Sequence, residues 1–364
     1  MLTDKQLSSI IINAIVVKVI ITFPRDMFTY CGNAAWIAGI YTTAVAFCLF
    51  YVLKKLYTTR KNVISMADDV GGTPLRIITG LAVFAVLSIN FADIIRVFPE
   101  IIRLVLLQKT YAEIIGTVFI ITLVLGAWRG IESIARVHQI FLPIAGIAFV
   151  GFLICLIEDI EGVNLLPILG NGIKAIFIDG LSGLSVFADL LLLNILIPYM
   201  KDVEDYKKSG TRSILIGGGC MVLVFIAYGL CYAYPVSSEF IIPIYQLERL
   251  INLSDFFSRL EALFQFIWAI SILLYGTLYL AVLAQVWRES FKLHHAKPLV
   301  PPIVIVATGI FIIPASLNDA LYYEGIINRW LYIPAFAIPI IIGIIYKLFH
   351  VKHYKGDNNE KQIL

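Results

Sequence analysis

Charged residues are scarce in this chain of 364 residues. Asp, Glu, Lys and Arg make up 15% of it, whereas soluble domains carry about 25%. Hydrophobic residues make up 60%, the mean hydropathy is +0.89, and apolar runs recur along the whole length. The composition excludes a large soluble domain and predicts an all-α integral membrane protein.

Motifs for catalysis and for cofactor binding are also missing. The five cysteines form no CxxC pair, and we interpret them as small buried hydrophobic residues. The phosphate-loop pattern GxxxxGK[ST] is absent, and no motif pairs a nucleophile with a base. We therefore expect no enzymatic activity, no cofactor, no metal and no nucleic-acid partner. We also expect no cleavable signal peptide, because Met1 to Gln6 leads directly into an apolar stretch.

Long apolar stretches dominate what is present. Ten of them have the composition of transmembrane helices: 7–24, 33–53, 77–98, 111–128, 139–157, 180–199, 213–234, 259–287, 299–316 and 330–349. Most of the 28 lysines and arginines fall on one side of this arrangement. Because basic residues are enriched in cytoplasmic loops, we expect both termini, including a tail at 350–364, to be cytoplasmic.

Two of these stretches are unusual for helices that face lipid. The sixth, within Asp179–Lys201, begins with a cluster of small residues: Gly180, Ser182, Gly183 and Ser185. We predict that it departs from regular helix between Gly183 and Asn194, which leaves backbone groups for a ligand. The first stretch is short and contains Asn13 and Lys18. Interrupted or polar spans at corresponding places in two halves indicate the binding site of an inverted-repeat transporter.

Ionisable residues within the spans are the strongest functional signal. A lysine at the middle of a span costs about 2.5–3.5 kcal/mol to insert, so Lys18 should face a cavity or a carboxylate unless it snorkels to the membrane surface. We predict that it pairs with Asp93 or Asp189, which lie at comparable depth. Asn90 and Asp93 lie on one helical face, and we expect that face to point into the bundle.

Hydroxyl groups recur every four residues in the eighth stretch. Ser271, Tyr275 and Tyr279 therefore share one helical face. Such a stripe is typical of packing between helices and also of a wall that binds ligand. The sequence leaves both interpretations open.

Several motifs together resemble one family. They are SIARVHQIFLPI (133–144), NLLPILGNGIK (164–174), Pro198 with Lys201-Asp202, and FFSRLEALFQFIWAI (256–270). They are similar to the B subunits of nutrient germinant receptors of spore-forming bacteria. The resemblance implies the fold of the amino acid–polyamine–organocation superfamily, which is two five-helix inverted repeats, here about 7–157 and 180–349. It also implies a sensor of small nutrients in the spore inner membrane, with an A subunit and a lipoprotein C subunit as partners, that triggers germination by letting ions cross.

The same resemblance implies a pocket at the breaks of spans one and six, flanked by spans three, eight and ten. The candidate ligand-binding residues are Val17, Lys18, Val19, Asn90, Asp93, Gly183, Ser185, Asp189, Ser271 and Tyr275. Relatives commonly have a glycine-containing break where this chain has Val17-Lys18-Val19. Lys18 then supplies the positive charge for a ligand or takes the place of a coupling cation. A proton-coupled amino-acid transporter is the alternative function, since it needs the same fold.

Overall fold

Helices account for nearly all secondary structure in the computed structural model. The model describes residues 1–251, 260–311 and 316–360, excluding the side chains at 260, 261, 310, 311 and 350–360. The first four residues of the motif at 256–270 thus lie outside the described residues. The α-helices are α1 (Asp4–Ile20), α2 (Phe23–Cys31), α3 (Ala35–Leu56), α4 (Val63–Val105), α5 (Ala112–Arg129), α6 (Ile131–Cys155), α7 (Ile173–Phe177), α8 (Leu190–Ile195), α9 (Val203–Cys231), α10 (Val236–Glu239), α11 (Pro243–Leu250), α12 (Leu260–Ser290), α13 (Val300–Phe311), α14 (Leu317–Trp330) and α15 (Tyr332–Glu360).

Eight helical segments of the described chain are long and apolar enough to cross a membrane. The predicted integral membrane protein is therefore confirmed, whereas the predicted count of ten spans is not. Two of the ten predicted spans correspond to helices that are too short. A span needs about 20 residues to cross the hydrocarbon, but α1 has 17 residues and the described part of α13 has 12.

Helix α1 lies at the centre of the bundle. It begins at Thr3, whose hydroxyl accepts the N–H of Gln6 while the Gln6 side chain accepts the N–H of Thr3. This capping box satisfies two backbone donors that the first turn would otherwise leave free. Almost every residue from Leu7 to Val19 is buried, because α6, α9 and α12 all pack around the helix. Side chains from Leu7 to Val19 therefore face protein on most sides.

The sixth predicted span is discontinuous. Residues Asp179–Asp189 form a 3₁₀-helix of 11 residues that precedes the short helix α8. Small residues let this segment approach α3 closely, since a Cβ added at Gly183 would lie 2.8 Å from Thr42 Oγ1. A 3₁₀ run of this length is uncommon and often marks a functional hinge. The predicted departure from regular helix is confirmed.

Helix α4 is 43 residues long and kinked. Gly72, at φ 63°, has the left-handed backbone conformation that glycine adopts without steric cost. The part after the kink carries Asn90 and Asp93. It packs against α12, α15 and α14, which brings these polar side chains into the bundle as predicted.

Helix α14 was not among the predicted spans. It lies between the ninth and tenth of them and begins at Ser316, which forms a capping box with Asp319. The helix packs against α4 and against the 3₁₀ segment. It therefore places a further set of polar side chains beside Asp93.

Candidate functional site

Lys18 forms an ion pair in the centre of the bundle. Its Nζ lies 3.0 Å from Asp189 Oδ1 and donates a second hydrogen bond to the carbonyl of Ser185 at 3.2 Å. The side chain of Lys18 is 14% exposed and that of Asp189 is fully buried. The predicted pairing is confirmed, with Asp189 as the partner rather than Asp93. Snorkelling to the membrane surface is not needed to satisfy this charge.

Two tyrosines of α12 complete the surroundings of Asp189. The hydroxyl of Tyr275 donates to Asp189 Oδ2 at 3.1 Å, and that of Tyr279 donates to Oδ1. Both rings are buried and contact each other edge to face. Asp189 thus accepts one ammonium and two hydroxyl hydrogen bonds, which compensates for burying its charge. The stripe on α12 therefore has a structural role at two of its three positions.

The 3₁₀ segment explains how Lys18 is held. The carbonyl of Ser185 accepts from Lys18, and the hydroxyl of Ser185 donates to the carbonyl of Asn328 in α14. Ser185 therefore links α1, the 3₁₀ segment and α14. A movement of any of these three elements would change the contacts of the Lys18–Asp189 ion pair.

A small polar cavity lies beside this ion pair. Its volume is about 30 Å³, enough for about one or two water-sized molecules. It is lined by Lys18, Ile21, Phe23, Asn90, Asp93, Ile94, Val97, Phe98, Val186, Tyr275, Glu324 and Asn328. We call it the polar cavity. It joins α1, α4, the 3₁₀ segment, α12 and α14, and it brings together Lys18, Asn90, Asp93 and Tyr275 from the predicted set.

Acidic groups outnumber basic groups in this lining. Asp93 and Glu324 both face the polar cavity, while the charge of Lys18 is matched by Asp189. Glu324 is only 7% exposed and accepts the hydroxyl of Thr22. Asn90, also 7% exposed, donates to the carbonyl of Val86 at 3.1 Å. The polar cavity thus offers carboxyl groups and amide groups to whatever enters it.

The other predicted site residues lie outside the polar cavity. Val17 and Val19 are buried in the apolar core, and Gly183 packs against Thr42 of α3. Ser271 of α12 lines a different cavity, which is apolar, has a volume of about 190 Å³ and lies among α1, α6, α9, α11 and α12. The carbonyl of Ser271 accepts from Asn13 at 3.0 Å. These residues support the helices that carry the site.

Glu324, Asn328 and Thr22 are polar residues of this region that the sequence analysis missed. Glu324 and Asn328 belong to α14, in a stretch too polar to be recognised as a span. The available signal was the pattern Ser316-x-x-Asp319, which is typical of a helix start. That signal predicts the helix but not its position beside Asp93.

A family model and several known proteins are similar to this chain in sequence. A family model described as "Spore germination protein" matches residues 1–320. Relatives in Bacillus subtilis (strain 168) include spore germination protein KB, 23% identical over 327 residues, with 87% of this chain and 86% of the relative covered. Putative spore germination protein YfkT is 26% identical over 338 residues, with 89% and 90% covered. Spore germination protein YndE is 23% identical over 359 residues, with 95% and 96% covered.

Solved structures of transporters share the fold. A Na+-coupled sialic acid symporter in a substrate-bound outward-open state superposes with a TM-score of 0.62 at 12% identity, covering 96% of this chain and 78% of the symporter. A nucleobase-cation-symport-1 family transporter in a closed conformation gives 0.59 at 14% identity, covering 97% and 93%. The predicted class, an all-helical membrane protein, is confirmed apart from the number of spans, and the chain shares its fold with these transporters.

Proposed function

The chain belongs to the family of spore germination proteins, and on that basis we propose that it is the membrane subunit of a nutrient germinant receptor. In this proposal it binds a small nutrient, such as an amino acid, in the polar cavity and thereby triggers germination. It acts in the spore inner membrane with both termini in the cytoplasm. An A subunit and a lipoprotein C subunit are its partners.

The polar cavity is the observation that carries this proposal. Ionisable and amide side chains are expensive within a membrane, and those that occur there are usually functional. Here they converge from α1, α4, α12 and α14 beside the discontinuous sixth span. In transporters with inverted repeats, the binding site lies at such interrupted helices near the middle of the bilayer. The two repeats at about 7–157 and 180–349 are part of the same proposal.

The charges suggest how a nutrient is oriented. The ammonium of Lys18 gives two of its three N–H donors to Asp189 and Ser185, so Asp189 already matches its charge before a ligand binds. Asp93 and Glu324 form no ion pair with any lysine or arginine that the structure describes, so we infer that they bind the amino group of the nutrient. Asn90 and Asn328 supply an amide donor or acceptor for a second polar group. A ligand with an ammonium group is therefore preferred over a purely anionic one.

Binding requires the polar cavity to widen. A volume of about 30 Å³ is smaller than an amino acid. The 3₁₀ segment is the element best suited to move, because its hydrogen bonds have poorer geometry than those of an α-helix. Its movement would disturb the contacts of Ser185 with Lys18 and Asn328. This gives a physical route from nutrient binding to a change of the whole bundle, through which ions cross and germination begins.

A panel of nutrients tests the receptor proposal. Spores whose only germinant receptor contains this chain are exposed to amino acids, sugars and nucleosides, and germination is followed by loss of optical density. We expect a response to one or more amino acids or amines and none from spores that lack the chain. A response that persists without the chain would contradict the proposal.

A proton-coupled amino-acid transporter is the second candidate, because the solved structures of this fold are transporters. Fold alone does not separate the two functions. The purified chain in proteoliposomes is therefore given the active nutrient in radiolabelled form. Accumulation that collapses when the proton gradient is dissipated would favour transport, whereas binding without accumulation favours the receptor.

A further inference from the structure

A second polar cavity lies at one membrane end of the bundle, far from Lys18 along the helices. Its volume is about 340 Å³, and it is an open cavity lined by the junction of α5 with α6, the last turns of α12 and the start of α13. We call it the basic cavity. Its lining includes Arg129, Arg136, Arg288 and Lys297, with Glu132 as its acidic residue. Nothing in the proposed nutrient response uses it.

The charge of the basic cavity is strongly positive. The carboxylate of Glu132 is already bound by the amino group of Met1 at 2.7 Å. Arg288 has a long ion pair with Glu289 at 3.6 Å. Within the described chain, no ion pair is formed by Arg129, Arg136 or Lys297. Among the described residues, the basic cavity therefore presents three cations without an ion pair, Arg129, Arg136 and Lys297, and Glu132 interacts with Arg136 only beyond ion-pair distance.

A tryptophan beside the basic cavity is typical of the membrane interface. Trp128 precedes Arg129 at the end of α5, and its indole N–H donates to the carbonyl of Lys297 at 3.3 Å. Tryptophan is enriched at the interface between hydrocarbon and water. Towards the hydrocarbon, the lining changes to small apolar residues, among them Ala281 and Ala284. The lining therefore has a basic end and an apolar end.

We propose that the basic cavity binds a phosphate-bearing anion, with the headgroup of an anionic phospholipid as the source that its position favours. Basic pockets between transmembrane helices bind such headgroups, and guanidinium groups match phosphate oxygens with two parallel hydrogen bonds. In this proposal Arg129 and Arg136 provide guanidinium groups and Lys297 provides an ammonium group.

The test compares the full-length protein with a variant that lacks two of these charges. Wild type and Arg136→Gln/Lys297→Gln are reconstituted in nanodiscs of phosphatidylcholine with increasing phosphatidylglycerol, and retained lipid is counted by native mass spectrometry. Each basic residue near a membrane surface contributes about a fivefold preference for anionic lipid, so the double variant should bind about thirtyfold more weakly. Lys208→Gln is the matched control. It removes an exposed charge of α9 that lies outside the basic cavity, so lipid binding should fall by no more than about fivefold, the effect of one surface charge.

Two further measurements separate the possible results. Inorganic phosphate is added to wild type in neutral detergent, and thermal melting is recorded. Stabilisation by phosphate without retention of phosphatidylglycerol would identify a soluble anion as the source. If the double variant does not insert, Arg136→Lys replaces it, and displacement of phosphatidylglycerol by phosphate is measured on wild type. Equal phosphatidylglycerol binding by wild type and variant, or no response to either probe, would overturn the proposal.

Discussion

Replacing Lys18 by methionine is the sharpest perturbation of the central ion pair. The change keeps the length and apolar bulk of the side chain but deletes the ammonium that contacts Asp189 at 3.0 Å. Breaking a buried ion pair by removing one partner destabilises a protein by about 3–5 kcal/mol. Asp189 keeps the hydroxyls of Tyr275 and Tyr279, so we expect the lower end, about 3 kcal/mol. The ratio of unfolded to folded protein should then rise about a hundredfold.

A double-mutant cycle shows whether that loss comes from the pair itself. Protein level in the spore membrane is measured by immunoblot, and melting temperature is measured on the purified chain. Asp189→Asn added to Lys18→Met removes the stranded carboxylate and should recover about 2 kcal/mol. Lys61→Met is the control. It removes a surface ion pair with Asp69 at 2.6 Å and should cost less than about 1 kcal/mol.

The opposite result would refute this reasoning. If Lys18 binds the carboxylate of the nutrient directly, Lys18→Met should leave the protein level normal and raise the required nutrient dose about tenfold. Normal protein with a shifted dose curve, and no recovery in the double variant, would show that the pair with Asp189 is incidental.

Three other predictions follow from contacts near the polar cavity. Tyr275→Phe and Tyr279→Phe each remove a hydroxyl that donates to Asp189 and should destabilise the protein by similar amounts. Of the two residues only Tyr275 lines the polar cavity, so Tyr275→Phe alone should raise the nutrient dose needed for germination by about tenfold. Equal dose curves for the two variants would contradict the assignment of Tyr275 to the binding site. Gly183→Val places a side chain against Thr42 and should lower the free energy of unfolding by about 1–3 kcal/mol. An unchanged melting temperature would show that the 3₁₀ segment is not tightly packed against α3. Asn194→Leu removes the side-chain oxygen that accepts the N–H of Val63 at the start of α4 and should lower the free energy of unfolding by about 1–3 kcal/mol. The variant should therefore be cleaved faster by protease than wild type, and cleavage at the wild-type rate would contradict the prediction.

The sequence predicts those features that depend on composition along one helix. Lys18 stands out because a charge within an apolar run is expensive, and the same argument limits its partner to a carboxylate of similar depth. The small residues before Asp189 predict a departure from α-helix because glycine and serine free backbone groups. Both predictions are local, and both are confirmed.

Long-range contacts account for what the sequence does not predict. Asp93 and Asp189 are equal candidates for Lys18 in the sequence, and the choice depends on how α1 packs against the 3₁₀ segment that carries Asp189. Glu324 contacts Thr22 across 302 residues of chain, and its helix is too polar to be recognised by hydropathy. Val17 and Val19 were assigned to the pocket through the family resemblance, whereas α1 directs them into the apolar core.

The dose–response of Asp93→Asn most directly tests whether the polar cavity binds the nutrient. Asp93 lines the cavity, whereas Glu100 lies on the same helix and pairs with Arg96 and Arg103 outside it. Spores whose only receptor contains Asp93→Asn should need about tenfold more nutrient or more, at normal protein level, because a charged hydrogen bond is lost. Glu100→Gln should leave the dose within about twofold of wild type. An unchanged dose curve for Asp93→Asn, with the protein present at normal level, would contradict the placement of the nutrient in this cavity.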